Sequence, residues 1–118
     1  MATLISTPAR IPVPGGKIIE EHVGLVATGD GHFSVAKMIA PPGWSEPAQT
    51  PDFDEVTLVL AGEIIVETDD GDLRVAAGQS VITRAGERVR YSVGDDGAEY
   101  IAICTPAFAP DLVNREEE

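Results

Sequence analysis

GWSEPAQTPDFDEVTLVLAG, residues 43–62, is the stretch whose reading decides the fold. It opens as a proline-bounded loop, carries four acids and one glutamine, and then becomes the longest largely apolar run of the chain, Val56 to Ala61. A loop that feeds a buried strand beginning with a carboxylate, Glu55, is where a pocket is expected.

Working outward, the flanks are strands and turns. Gly29-Asp30-Gly31 supplies a tight turn into residues 32–40, which end at Pro41-Pro42-Gly43. Downstream, Glu63 to Thr68 reads as a separate strand, and Asp69-Asp70-Gly71-Asp72 as a hairpin into Leu73 to Ala76. Ser80 to Thr83 and Arg88 to Val93 are further strands, and Asp95-Asp96-Gly97 is read as another hairpin, into residues 98–105. Roughly seven to ten short strands, punctuated about every 8 to 12 residues with almost no helix period, predict an all-β barrel or sandwich. Residues 1–16, rich in proline and closed by Gly15-Gly16, read as an extended arm of the kind that packs on a partner subunit. The barrel is assigned to residues 17–110, and 111–118 to an acidic, solvated tail.

Composition narrows the function classes. At 118 residues the chain is one domain large enough to bury a core, and an apolar share of 43% is ordinary for a globular protein. No apolar run approaches the ~20 residues of a membrane-spanning helix, and the N-terminus lacks a signal-peptide pattern, so a cytoplasmic protein without a membrane partner is expected. The formal charge of −12 repels phosphate backbones and argues against nucleic acid. One cysteine, Cys104, excludes an internal disulfide and reads as a small buried hydrophobe. Phe33, Phe53, Tyr100 and Phe108 are assigned to core or interface.

The opening stretch resembles the first motif of the cupin superfamily: Gly, five residues, His, one residue, His, three or four residues, Glu, six residues, Gly. Gly43, Gln49, Pro51, Glu55 and Gly62 fall at that spacing. The second motif (Gly, five residues, Pro, one residue, Gly, two residues, His, three residues, Asn) aligns with residues 78–93, where Gly78 and Gly86 match and Arg84, Val89 and Val93 replace the Pro, His and Asn. Residues 54–81, DEVTLVLAGEIIVETDDGDLRVAAGQSV, are locally similar to ethanolamine-utilisation cupins. The resemblance implies a small jelly-roll barrel, a double-stranded β-helix, and a homodimer. It also implies a metal held by three histidines and a glutamate, but only Glu55 and the neutral oxygen of Gln49 stand at family ligand positions. Pro51 and Val89 have no donor, and His22 and His32 lie outside the motifs, so no transition metal and no cofactor are expected. An oxygen-only site for a hard cation stays open.

Strand alternation extends the reading. If Glu55 points inward, Thr57 and Val59 follow it, while Val56, Leu58 and Leu60 face outward and suit coverage by a second subunit. In the second motif Val89, Tyr91 and Val93 point inward, leaving Arg88 and Arg90 to pair with surface acids. An enclosed Glu55 has three expected outcomes: pairing with Lys37, hydrogen bonds from Tyr91 or Thr57, or a raised pKa. Trp44 is either a loop anchor or an apolar wall for a ligand, and Arg84 at the barrel mouth is a candidate anion contact.

The expected function is therefore a cupin that binds a small organic molecule. Glu55, with Tyr91 or Lys37, would transfer protons in an isomerisation, cyclisation or elimination. Gln49, Trp44, Pro51, Thr57, Val59, Arg84 and Val89 would contact the ligand. Two alternatives stand beside it: a non-catalytic sensor or accessory protein, and a metal-dependent dioxygenase or decarboxylase with an atypical site.

Overall fold

The computed structural model describes residues 1–117. Seven antiparallel strands follow one another: β1 (Ala9–Ile11), β2 (Ile18–Val23), β3 (Ser34–Ala40), β4 (Asp54–Thr68), β5 (Gly71–Ala76), β6 (Ser80–Thr83) and β7 (Val89–Thr105), before a single 3-10 turn at Pro110–Leu112. The neighbour order is β1-β2-β3-β7-β4-β5, with β6 also paired to β4. This is the all-β class expected.

Two strands are much longer than the sequence suggests. β4 has 15 residues and β7 has 17, and they pair from Asp54↔Thr105 to Thr68↔Val89. Gly62 was expected to end a strand and Asp95-Asp96-Gly97 to form a hairpin. Instead the ladder continues through both, with register shifts between Val59 and Ala61 and between Gly62 and Ile64. Extra residues at a bulge bend a strand without reversing it, so turn-forming residues here redirect the chain. Gly62 and Gly97 both have positive φ, and a Cβ on Gly62 would lie 2.1 Å from the Gly97 carbonyl oxygen.

Each half of the ladder has its own neighbours. The first half of β4 pairs with β6 and the second half with β5, while β3 borders the second half of β7. The first half of β7 is met by the 45–49 loop through the bridges Ser45↔Ser92 and Gln49↔Val89. The ladder therefore supplies two half-sheets, and their facing surfaces enclose Val59, Ile64, Val66, Val89, Tyr91 and Tyr100. Outward-facing Leu58, Leu60 and Ile82 remain exposed on the single chain.

The arm expected to pack on a partner subunit and the expected solvated tail both pair with the barrel of their own chain. Ala9–Ile11 pairs with β2 of the same chain. At the other end Val113 packs with Phe53 and Cys104, and the Glu116 amide donates to the Ala48 carbonyl at 2.8 Å. Apolar burial and backbone pairing, which acidic composition does not reveal, hold this segment. Glu118 of the expected tail lies outside the described residues. No helix among the described residues is long and apolar enough to cross a membrane.

The bend predicts unequal glycine costs. Gly62→Ala should lower unfolding free energy by about 3 kcal/mol or more, because strain at positive φ adds to a backbone clash. Gly29→Ala also has positive φ but meets nothing within 4 Å, and should cost about 1 kcal/mol. Urea unfolding of the two variants checks the order; equal losses would contradict it.

Candidate functional site

β2 and β3 place their cavity faces by alternation. On β2, Ile19 and Glu21 are buried and line a cavity of about 450 Å³; Lys17, two residues before Ile19, lines it too. On β3, Ser34, Ala36 and Met38 face the same space. Lys37 belongs to the opposite parity, in register with Glu20 on the outer side, and does not line the cavity. The expectation that Lys37 partners Glu55 is thus corrected: the small residues Ser34 and Ala36 occupy the inner face, and the lysine that lines the cavity is Lys17.

β4 and β7 bring the acidic and phenolic groups together. Glu55 and Tyr91 both line the cavity, as do Trp44, Gln49, Tyr100 and Cys104. Thr57 Oγ1 donates to Glu55 Oε2 at 3.3 Å, and Cys104 Sγ donates to Oε1 at 3.8 Å. Tyr91 hydroxyl instead pairs with Thr83 Oγ1 at 3.1 Å, and Thr83 sits opposite Glu55 in the β4–β6 register. That bond ties the two half-sheets together beside the carboxylate.

Enclosure dominates the electrostatics. Glu55 keeps an open face to the cavity, but withdrawal from bulk water pushes its pKa from 4.5 up to about 7. The Lys17 ammonium lowers it and the Glu46 carboxylate raises it; the bonds from Thr57 and Cys104 favour the ionised form by less. Burial likewise lowers Lys17, against the raising influence of Glu46 and Glu55. Lys17 Nζ lies 4.2 Å from the Trp44 ring centroid and 5.3 Å from that of Tyr100. Trp44 is therefore both a buried anchor and part of the wall. Burial also pushes the Tyr91, Tyr100 and Cys104 hydroxyl and thiol groups well up, so they stay protonated at neutral pH.

The other expected contacts divide. Gln49 lines the cavity, exchanges backbone hydrogen bonds with Val89, and accepts from Arg115 Nη2 at 3.1 Å. Pro51, Thr57, Val59, Arg84 and Val89 do not line it. Pro51 accepts the Gly86 amide, Val59 and Val89 fill the core between half-sheets, and Thr57 hydrogen-bonds Glu55. Arg84 is exposed and 3.5 Å from Asp54, so it is not an anion contact in the cavity. Arg88 and Arg90 do face acids, Glu116 at 2.7 Å and Glu67 at 3.6 Å.

Sequence reading missed Lys17, Glu46 and Arg115. The alternation Lys17-Ile19-Glu21 carried a signal for the first; Arg115, 3.2 Å from Glu46, is placed by tertiary packing of the C-terminal segment and had none.

The four positions that the cupin resemblance assigns to metal ligands do not suit one. Pro51 and Val89 lack side-chain donors, and the Gln49 oxygen already accepts from Arg115. Among the described residues no group of three or more His, Cys, Asp or Glu side chains is placed to hold a metal ion.

The family described as "Cupin domain" (Cupin_2) matches residues 36–104. The chain is 47% identical over 107 residues to "Endoribonuclease YbeY" of Myxococcus xanthus, a match covering 90% of this chain but 36% of that protein. The chain thus spans about a third of that curated relative. Among solved structures, Streptomyces PAC13 with uridine shares the fold with TM-score 0.77 at 12% identity, covering 99% of this chain and 90% of that one; another structure of Pac13 describes it as a nucleoside dehydratase. An ethanolamine-utilisation protein Q of Salmonella typhimurium LT2 matches with TM-score 0.62 at 17% identity, covering 78% and 71% of the two chains.

The carboxylate has a consequence for stability. Its folded pKa exceeds its unfolded value, so folding favours the protonated form. Its stabilising effect is fully present below pH 4.5 and is lost as pH rises towards about 7. Glu55→Gln should match the unaltered protein near pH 4.5 and exceed its stability by about 3 kcal/mol at pH 8. Denaturant titrations at both pH values check this; a constant difference between them would contradict it.

Proposed function

This chain belongs to the cupin-domain family, and on that premise we propose that it binds a small organic molecule in the barrel and transfers protons with Glu55. The observation that carries the reading is an enclosed carboxylate, open to a cavity of about 450 Å³, whose pKa is about 7. A group that exchanges its proton near the working pH serves well as either acid or base. Trp44 and Tyr100 supply apolar wall, and Lys17 supplies a cation beside it.

Isomerisation, cyclisation and elimination fit this equipment, because each can proceed by moving protons. In an elimination, Glu55 would take a proton from carbon or give one to a departing hydroxyl, while Tyr91 positions the opposite wall through Thr83. The dehydratase description of Pac13 accords with elimination as a class. The endoribonuclease name belongs to a protein about two and a half times as long, and a charge of −12 disfavours a phosphate-backbone substrate here. The exposed row Leu58, Leu60 and Ile82 supports a homodimer as the assembled form.

A thermal-shift panel of metabolites identifies ligands, and conversion of those ligands is then followed across pH. Glu55→Gln should reduce turnover at least about 100-fold and remove the limb of the pH–rate profile near 7. Full turnover in that variant contradicts the proposal; ligand binding without conversion in the unaltered protein favours a sensor. Loss of turnover on metal chelation, restored by one added divalent ion, favours the atypical metalloenzyme.

A further inference from the structure

We propose that Lys17 is the anchoring contact for a carboxylate group of the ligand, so that the cavity selects small monoanionic carboxylic acids. The inference deepens the function just proposed and rests on the cavity being the substrate site. Its starting point is an ammonium aimed into enclosed space. Among the described residues Lys17 makes no hydrogen bond, and no carboxylate oxygen lies within the 4.0 Å of an ion pair. Its contacts are aromatic faces, Trp44 and Tyr100, which attract a cation but accept no conventional hydrogen bond from it.

The other charges of the cavity are already engaged. Arg115 is held by Glu46 at 3.2 Å and by Gln49 at 3.1 Å. Glu21 Oε2 accepts the backbone amides of Val26 and Ala27 at 3.0 and 2.9 Å. Glu55 takes bonds from Thr57 and Cys104. Glu46 and Glu55 act on Lys17 only from beyond contact distance. A withdrawn ammonium without a contacting acceptor is expensive to keep charged, and a ligand carboxylate in that place removes the deficit with a charge-assisted bond. The same two acids disfavour a phosphate dianion, whose second charge meets repulsion that a monoanion avoids.

Binding at Lys17 also acts on the neighbouring carboxylate. The ammonium is what draws the Glu55 pKa down against burial. A carboxylate on Lys17 cancels that influence and adds like charge, so Glu55 takes up a proton as the ligand enters. The occupied site then presents an acid, suited to protonating a departing hydroxyl.

The test uses Trp44, the only tryptophan of the chain, as a fluorescent reporter at the site. Formate, acetate and benzoate are titrated into the whole protein, with benzamide and inorganic phosphate as comparators. At least one carboxylate should produce a saturable fluorescence change, and benzamide should bind at least about tenfold more weakly than benzoate. Carboxylate should protect Lys17 from reductive methylation, read by peptide mass spectrometry on the unaltered chain. In weakly buffered solution at pH 7.5 the same titration should take up protons, and Glu55→Gln should keep the binding while losing the uptake. Lys17→Met, checked for cooperative unfolding, should lose the fluorescence response. Silence from all three carboxylates, equal binding of benzamide, unprotected Lys17, or an undiminished response in Lys17→Met overturns the inference. Failure of the proton-transfer reading shows separately, as full turnover in Glu55→Gln with carboxylate binding intact.

Discussion

The uninterrupted pairing of β4 with β7, bent at its middle, is the constraint on which the rest depends. Glu55 pairs with Cys104 near one end of the ladder, and Tyr91 pairs with Val66 near the other. On a flat ladder about 35 Å would separate those levels. Both residues nevertheless line one cavity, because the strands turn where Gly62 passes Gly97 too closely for a side chain. The bend converts one ladder into two facing half-sheets. The Tyr91–Thr83 bond fastens them next to Glu55.

Enclosure then sets the chemistry. A barrel wall that excludes bulk water raises an acid and lowers a base, and Glu55 and Lys17 show these opposite responses in one space. The two are energetically linked: the ammonium restrains the rise of the carboxylate, and any change in one alters the other. Under the proposed function, this mutual adjustment is what would let the pair act as an acid–base centre without several ligating side chains. In this cupin-domain chain one carboxylate of the first motif faces the cavity, while Pro51 and Val89 at other motif positions carry backbone-pairing or packing duties.

Much of this was legible in residues 43–62 and 78–93. Motif spacing located Glu55 and the barrel, and alternation correctly turned Tyr91 inward. Alternation alone leaves the orientation of Lys37 open, and its parity is fixed by Ser34 and Ala36 on the cavity face, residues too small to announce an inner surface. Lys17 was obscured because it lies at the junction of a proline-rich arm and β2. Glycine misled more systematically: Gly62 and Gly97 looked like strand ends, whereas their missing side chains permit close passage of continuous strands. Arg115 sits in an acidic segment whose docking depends on Val113 burial and on backbone pairing with the 48–50 loop, a long-range arrangement without a local pattern.

The central claim is that the barrel holds Glu55 poised near neutrality. Carbon-13 NMR titration of the Glu55 side-chain carboxyl tests it most directly, with assignment by Glu55→Gln. The account predicts a midpoint of about 7, moving higher in Lys17→Met as the opposing charge is removed. A midpoint near 4.5, the ordinary glutamate value, unaffected by loss of Lys17, would contradict it.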